Sequence, residues 1–225
     1  MGDHHHHDHD HAHGHDHDHA PIEEVAAAPV EDRILETAIR ELLIEKGVIS
    51  AEDVHRQIDI VDSRNPALGA RVVARAWTDP DFKARLIEHP LKTIQDTFGM
   101  DMTSPLELVV LENTPEVHNV VVCTLCSCYP RMLLGIPPAW YKAVDYRSRV
   151  VREPRAVLAE FGVTLPDTQE VRVSDSTADL RFLVLPARPE GTEGWSEEAL
   201  AAIVTRDCMI GTGLPDPAVK RDEAA

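Results

Sequence analysis

The amino-acid sequence predicts an α+β protein, with a helical N-terminal half and a second half that mixes strands with helices. Before Gly99 the apolar residues recur at helical spacing, whereas two runs of β-branched residues follow that glycine. At 225 residues the chain can bury one sizeable core. We expect three regions: a tail over residues 1–29, a helical region over 30–99 and a mixed α+β domain over 100–225.

The N-terminal tail is the most polar part of the chain. Residues 3–19 hold ten histidines and five aspartates and almost nothing apolar. Because such a segment cannot form a packed core, we expect the tail to be disordered.

Helix signals follow one another through the N-terminal half. Ser50 with Asp53 indicates one helix start, and Asp79 before a proline indicates another, because proline suits the first helical position. Gly99 is typical of a helix end. The expected helices are a first segment that ends at Gly47 and carries Ile34, Leu35, Ala38, Ile39, Leu42 and Leu43 on one face, a second from Ser50, and others over 66–77, from Pro80 and over 90–98.

The second half alternates between the two kinds of element. Strands are expected over 106–111 and 118–122, separated by an Asn-Thr-Pro turn signal. A cysteine-rich loop then separates the second strand from the next helix. The remaining expected elements are helices over 140–151 and 153–161, strands over 171–173 and 182–185, and a last helix over 196–204.

The charge and hydropathy of the chain argue against several classes of partner. The formal charge is −17, and without the tail's five aspartates it is still −12. Such acidity disfavours nucleic acid and anionic membranes as partners. No apolar stretch is long enough to cross a bilayer, and the N-terminus lacks the pattern of a secretory signal. We expect a cytoplasmic protein.

Three of the four cysteines, Cys123, Cys126 and Cys128, lie in one six-residue segment, 123–128, which we call the claw. Clustered cysteines suit a metal or redox site better than a disulfide framework. Thiolates bind transition metals strongly. The spacing is compatible with zinc, with an iron–sulfur cluster, or with a trivalent iron or cobalt ion.

A fourth side-chain ligand is not evident. Only Cys208 or His118 could complete a closed zinc site or a common cluster, and a cysteine beside Met209 is more often a small buried apolar residue. The backbone nitrogens of Ser127 and Cys128 could complete the ligand set if they lose their protons. One metal position would then stay open for substrate, which predicts a catalytic site.

The claw and its flanks resemble a known family. Residues 122–130 read Val-Cys-Thr-Leu-Cys-Ser-Cys-Tyr-Pro, and residues 134–142 read Leu-Gly-Ile-Pro-Pro-Ala-Trp-Tyr-Lys. Together with 146–155, 188–194 and 204–208, these segments are similar to the metal-binding subunit of nitrile hydratases and thiocyanate hydrolases. The resemblance covers roughly the whole chain after the tail.

The resemblance implies an αββα-like layered fold and a low-spin cobalt(III) ion. The implied ligands are the sulfurs of Cys123, Cys126 and Cys128 and the main-chain nitrogens of Ser127 and Cys128. Threonine at position 124 favours cobalt over iron(III), which is the alternative. The resemblance also implies that Cys126 becomes a sulfinate and Cys128 a sulfenate, while Cys123 stays a thiolate.

The same resemblance implies an assembly and a reaction. Arginines of a β-type partner subunit would hydrogen-bond the sulfur-borne oxygens in a hetero-oligomer, and a cobalt-insertion activator would load the metal. The reaction would hydrate a nitrile to an amide. Either the metal activates the nitrile or a bound water, or the Cys128 sulfenate oxygen attacks the nitrile first; the sequence leaves both routes open.

Because of Arg131, two substrates remain possible, a nitrile and thiocyanate. Typical nitrile hydratases carry tryptophan at this place, whereas thiocyanate hydrolase gamma subunits resemble this chain, and a guanidinium could attract anionic thiocyanate. The compact stretch from Gly99 to Val122 is instead similar to nitrile hydratases. We expect a nitrile hydratase alpha subunit with Cys128 and Arg131 as catalytic residues. The alternative is the gamma subunit of a thiocyanate hydrolase, which releases carbonyl sulfide and ammonia.

The tail supports a third hypothesis, a non-catalytic protein that binds or delivers metal. Its histidines alternate with aspartates and are interrupted by Ala12 and Gly14, unlike a simple six-histidine tag. Because neutral imidazoles bind late first-row divalent metals, we hypothesise that the tail collects cobalt for insertion. A carrier would not need an open catalytic position, so this hypothesis ranks last.

Overall fold

The computed structural model describes residues 29–100, 102 and 106–220, with side chains up to residue 218. The tail that we expect to be disordered therefore lies outside the described residues, apart from Pro29. Within the described part, a helical N-terminal region precedes strands and helices built around short parallel sheets. The α+β class is confirmed.

The helical region consists of five helices whose ends follow the sequence signals. The Ser50 hydroxyl accepts a hydrogen bond from the Asp53 amide at 3.0 Å, and Asp53 accepts one from the Ser50 amide at 3.1 Å. Asp79 accepts a hydrogen bond from the Phe82 amide at 2.9 Å, and Gly99 ends the last helix at a φ of 65°. The helices are α1 (Val30–Glu45), α2 (Ala51–Ser63), α3 (Pro66–Thr78), α4 (Pro80–Glu88) and α5 (Pro90–Phe98).

Helices α1 and α2, which we call the arm, carry their apolar residues on an uncovered surface. Neither helix has a buried side chain, whereas α3 buries six residues. The apolar face expected on the first helix is thus present but does not pack into the core. The arm's exposed large apolar side chains are Val30, Ile34, Leu35, Ile39, Leu42, Ile58, Ile60 and Val61.

Four strands form two parallel pairs in the described part of the chain. β1 (Glu107–Glu112) pairs with β4 (Leu180–Leu185), and β2 (Val117–Val122) pairs with β3 (Glu170–Asp175). The register of the second pair aligns Val122 with Asp175. Because parallel strands end at the same edge, the claw begins beside the end of β3.

The remaining helices are short. The helix expected over 140–151 is interrupted, because Ala143 is extended at φ −62° and ψ 138°. In a continuous helix Tyr141 and Tyr146 would lie on different faces, and the interruption lets both be buried. The sequence pattern did not indicate α6 or α11. The helices are α6 (Arg131–Leu134), α7 (Ala139–Lys142), α8 (Val144–Arg149), α9 (Pro154–Glu160), α10 (Glu197–Ala201) and α11 (Arg206–Ile210), followed by a 3₁₀ turn, Pro217–Lys220.

Helix α3 connects the two halves of the core. It packs against α4, α6, α10 and α11, and Val72 and Val73 on it are fully buried. The Trp77 indole donates a hydrogen bond to the Pro186 carbonyl at 2.8 Å, and Arg188 donates to the Trp77 carbonyl at 3.1 Å. These bonds tie the end of α3 to the segment that follows β4. No helix within the described ranges is long and apolar enough to span a membrane.

Gly211 permits the close approach of α11 to β2, which leads to a first testable prediction. Gly211 has a φ of 89°, and a Cβ there would lie 1.9 Å from the Asn119 carbonyl oxygen. We expect Gly211→Ala to lower the free energy of unfolding by about 2–4 kcal/mol, because backbone strain adds to a backbone clash. Chemical denaturation measures this loss.

Gly162→Ala is the matched control for that prediction. Gly162 has a φ of 78°, but an added Cβ would meet no atom within 4 Å. This variant should therefore lose only about 1–2 kcal/mol, the cost of a left-handed conformation. Equal losses in the two variants would contradict the importance of the approach to Asn119.

Candidate metal site

The three claw sulfurs converge as free thiols. The Cys126 Sγ lies 3.2 Å from the Cys123 Sγ and 3.1 Å from the Cys128 Sγ, and all three sulfurs lie within 4.8 Å of one another. Metal–sulfur bonds of about 2.3 Å place neighbouring sulfurs roughly 3.3 Å apart at a right angle and roughly 3.8 Å apart at a tetrahedral angle. The three sulfurs are therefore close enough together to bind one metal ion.

Cys126 and Cys128 differ in how readily they ionise. Hydrogen bonds from the Cys128 and Cys123 thiols, and weaker ones from the backbone amides of Cys128 and Ser127, lower the pKa of Cys126 to about 7. Burial, followed by hydrogen bonds with Cys126 and Cys123, raises the pKa of Cys128 to about 12. Cys126 therefore becomes a thiolate, the form that binds metals, more readily than Cys128. The backbone amides of Ser127 and Cys128 are close enough to the Cys126 sulfur to act on its pKa.

Asp175 holds the first turn of the claw. Its carboxylate accepts hydrogen bonds from the Thr124 amide at 2.9 Å and from the Thr124 hydroxyl at 2.5 Å. Arg147 of α8 donates to the Thr124 carbonyl at 3.2 Å. We call this set of bonds the Asp175 clasp. It holds residue 124 through its amide, its hydroxyl and its carbonyl, and so fixes the start of the loop.

Two buried tyrosines hydrogen-bond to the backbone at the end of the claw and just before its start. The Tyr141 hydroxyl donates to the Cys128 carbonyl at 2.9 Å, and the Tyr146 hydroxyl donates to the Val121 carbonyl at 2.7 Å. Burial raises the pKa of both phenols, so they stay protonated and keep donating. Trp140 packs edge-on against both tyrosines, with ring centres 5.9 Å and 4.9 Å away. The backbone on either side of the claw is thereby anchored to an aromatic layer.

A cavity of about 460 Å³ opens beside the claw. Cys126, Ser127 and Cys128 line it, together with Arg131 and Arg181. The Arg181 guanidinium is close enough to Cys128 to act on its pKa, in the direction opposite to burial. Among the described residues no carboxylate lines the cavity. Its other lining residues are Arg64, Met102, Leu106, Tyr129 and Met132.

The two residues considered as a fourth side-chain ligand point elsewhere. His118 is buried and bonds through Nε2 to the Gly211 carbonyl at 2.7 Å and through Nδ1 to the Asn113 amide group at 3.2 Å. Cys208 is buried and lies 3.2 Å from the Thr205 hydroxyl. Within the described ranges, neither joins the claw sulfurs as a possible metal ligand. The claw, as described, therefore offers three sulfurs but not the four side-chain ligands of a closed zinc site.

The structure brings most of the sequence-predicted site residues together. Cys123, Cys126 and Cys128 form one group, the Ser127 amide faces it, and Arg131 at the start of α6 lines the same cavity. The sequence analysis missed several residues that shape the site. They are Arg64, Tyr141, Arg147, Asp175 and Arg181.

One of the missed residues, Asp175, ends a segment with strand character. That signal is local and does not show which strand lies beside it. Only the parallel pairing of β3 with β2 places the carboxylate next to the claw.

Several known proteins are similar in sequence to this chain over most of its length. A family model described as nitrile hydratase, alpha chain, matches residues 30–213. The nitrile hydratase subunit alpha of a Rhodococcus species is 50% identical over 195 residues, which cover 86% of this chain and 94% of the relative. The thiocyanate hydrolase subunit gamma of Thiobacillus thioparus is 48% identical over 208 residues, which cover 88% and 84%.

Solved structures share the fold as well. A recombinant thiocyanate hydrolase with partially modified cobalt centres matches with a TM-score of 0.78 and 47% identity, over 86% of this chain and 92% of that one. A double mutant of the Fe-type nitrile hydratase from Comamonas testosteroni Ni1 matches with a TM-score of 0.77 and 42% identity, over 84% and 92%. Both cobalt-containing and iron-type enzymes therefore occur among the similar proteins.

The Asp175 clasp generates a second prediction. Asp175→Ala removes both acceptors of Thr124, so the claw should lose its preformed shape and bind cobalt about 10–100-fold more weakly. The measurement is the cobalt retained by the co-expressed complex against a competing chelator. Asp167→Ala is the control, because Asp167 is an exposed carboxylate on the loop before β3. Equal cobalt retention in the two variants would refute the clasp's role.

Proposed function

We propose a nitrile-hydrating function for this chain, which belongs to the nitrile hydratase alpha-chain family. It is the metal-bearing subunit of an enzyme, as its nitrile hydratase and thiocyanate hydrolase relatives are enzyme subunits. The proposed reaction adds water to the C≡N group of a nitrile and forms an amide. The observation that carries the proposal is the convergence of three claw sulfurs and two backbone amides beside an open cavity.

Cobalt(III) is the metal that we propose for the claw. Thiolates and deprotonated amides would suit a trivalent ion, and the three sulfurs lie close enough together to bind one ion. A similar solved enzyme contains cobalt, whereas the iron-type enzyme keeps iron(III) as the alternative. Threonine at position 124 favours cobalt by the resemblance. When bound, the ion supplies Lewis-acid activation of the nitrile or of water.

The exposure of each cysteine supports a different role. Cys123 is buried, so its thiolate serves as a ligand out of reach of the cavity. Cys126 and Cys128 line the cavity, where an oxidant and a substrate can reach them. The resemblance assigns the sulfinate to Cys126 and the sulfenate to Cys128, and their place on the cavity is compatible with the oxidation of both. Cys128 is the claw residue that meets the reacting group.

The apolar part of the cavity suits the carbon chain of a nitrile. Met102, Leu106 and Met132 line it together with the claw. Methionine side chains are flexible and adapt to different apolar shapes. The nitrile carbon chain would lie against these residues while its polar C≡N end points toward Cys128.

Thiocyanate is the second candidate substrate, and a specific observation favours it. Arg64, Arg131 and Arg181 line the cavity, and no carboxylate of the described residues does so. Their combined positive charge attracts a small anion. Arg131 lies at the start of α6, directly after the turn that follows the claw.

A third prediction separates these two substrates. The chain is co-expressed with its partner subunits and cobalt, and amide formed from a neutral nitrile is measured beside carbonyl sulfide formed from thiocyanate. We expect amide formation. Arg131→Gln removes one charge at similar length and should lower kcat/KM for thiocyanate by about tenfold more than for the nitrile.

Two outcomes contradict parts of this proposal. Turnover of thiocyanate alone would replace the nitrile by the second candidate. A cobalt-loaded complex that converts neither substrate would overturn both and support the metal-delivery hypothesis. Deleting residues 3–19 tests the tail separately: unchanged cobalt loading at limiting metal would show that the tail does not collect cobalt.

We further propose that the arm is the seat of a β-type partner subunit. The relatives of this chain are named as enzyme subunits, which implies such a partner in a hetero-oligomer. Ile34 and Leu42 are 64% and 49% exposed although they lie on one apolar face of α1. The helix also carries Glu31 and Asp32 in its first turn. An apolar groove with a basic rim is the complementary partner surface.

The arm generates a fourth prediction. The double variant Ile34→Asp with Leu42→Asp should weaken association with the partner by at least about tenfold, because burying each side chain contributes about 1.5–3 kcal/mol. Analytical ultracentrifugation measures the association. Ile87→Asp is the control, since Ile87 is 41% exposed but lies on α4. Unweakened association of the double variant would place the partner elsewhere.

A further inference from the structure

Arg181 is a cation that this chain itself places at the claw. It is the second residue of β4 and lines the cavity together with Cys126 and Cys128. Arg64 and Arg131 also line the cavity, but both are exposed, whereas Arg181 is partly buried. Of the three arginines, it is therefore the one whose charge is least weakened by solvent.

The backbone of the β3–β4 connection holds the Arg181 guanidinium in place. Its Nη1 donates to the carbonyl oxygens of Leu180 at 3.1 Å and of Ala178 at 3.2 Å, and also to that of Thr177. Carbonyl acceptors anchor the side chain without cancelling its positive charge. A planar guanidinium anchored through one nitrogen is already oriented for further donation.

The other edge of this guanidinium has a free donor. The Arg181 Nε is buried, and no described atom accepts a hydrogen bond from it. Buried N–H groups are almost always paired, because an unpaired one loses the hydrogen bond that it made to water. The Arg181 Nε is thus a donor for which the described residues supply no acceptor, and an anionic oxygen is the strongest acceptor for a guanidinium.

We propose that Arg181 is a positioning residue that stabilises the negatively charged claw and donates to an oxygen carried by Cys128. The inference rests on the proposed metal-bearing function. Three thiolates and two deprotonated amides carry more negative charge than a trivalent ion compensates, so a fixed cation beside them stabilises the loaded site. Hydrogen bonds to the oxygens on the claw sulfurs would thus come from this chain as well as from the partner arginines that the resemblance implies.

The experiment uses the complex co-expressed with partner subunits and cobalt. Arg181→Gln removes the charge, Arg181→Lys keeps it without the Nε donor, and Arg172→Gln is the control on β3, the strand that precedes β4 in the sequence. Arg172 is exposed and pairs only with Glu170 among the described residues. Three readouts apply: cobalt retained against a chelator, the cobalt absorption band, and the oxygen gained by the claw peptide in intact mass.

We expect Arg181→Gln to weaken cobalt retention by about 10–100-fold and to shift the absorption band. Arg181→Lys should recover much of the retention but not the band position, because it restores charge without the donor. Arg172→Gln should match the unchanged chain. Unaltered retention, band and peptide mass in Arg181→Gln would overturn the proposal, and so would equal losses in Arg172→Gln.

Two further outcomes keep this proposal separate from the proposed function. If neither Arg181 variant assembled, the residue would be structural and the proposal would be wrong. If the complex converted neither nitrile nor thiocyanate but cobalt retention still depended on Arg181 as described, the proposed function would fail and the role of Arg181 would stand.

Discussion

The claw keeps its shape because two strands distant in sequence run parallel and end together. β2 delivers the cysteine loop, and β3 delivers Asp175 to the same edge, where its carboxylate binds both the amide and the hydroxyl of Thr124. Tyr141 and Tyr146 fix the backbone on the two sides of the loop. A metal site whose ligands are preformed needs little ordering when the ion binds. The strand pairing is thus the constraint on which the site depends.

A gradient of burial across the claw gives three identical side chains different chemistry. Cys123 is buried at the end of β2, Cys128 is half-buried and Cys126 is exposed. The pKa of Cys126 falls because neighbouring thiols and amides donate to it, while that of Cys128 rises mainly because of burial. Cys126 therefore becomes a thiolate more readily than Cys128. The two cysteines on the cavity are also the two that oxidation can reach.

The two candidate substrates are distinguished by the residues of the cavity and not by those of the claw. Both proposed reactions would use the same claw, so they would differ in how the cavity holds the substrate. Arg131 and its neighbouring arginines favour an anion, whereas Met102 and Met132 favour an apolar chain. The exposed face of the arm suits a partner subunit and belongs to a separate part of the chain.

The sequence by itself determined the features that arise from neighbouring residues. The caps at Ser50 and Asp79, the helix end at Gly99 and the sulfur spacing of the claw are all local patterns, and the structure shows them as expected. Only the tertiary structure decided the parallel pairing of β2 with β3 and the break in the helix at Ala143. It also decided that Asp175 and Arg181 lie beside the claw. These features depend on hydrogen bonds and burial between residues far apart in the chain, and the periodicity of a single segment carries no information about its partner.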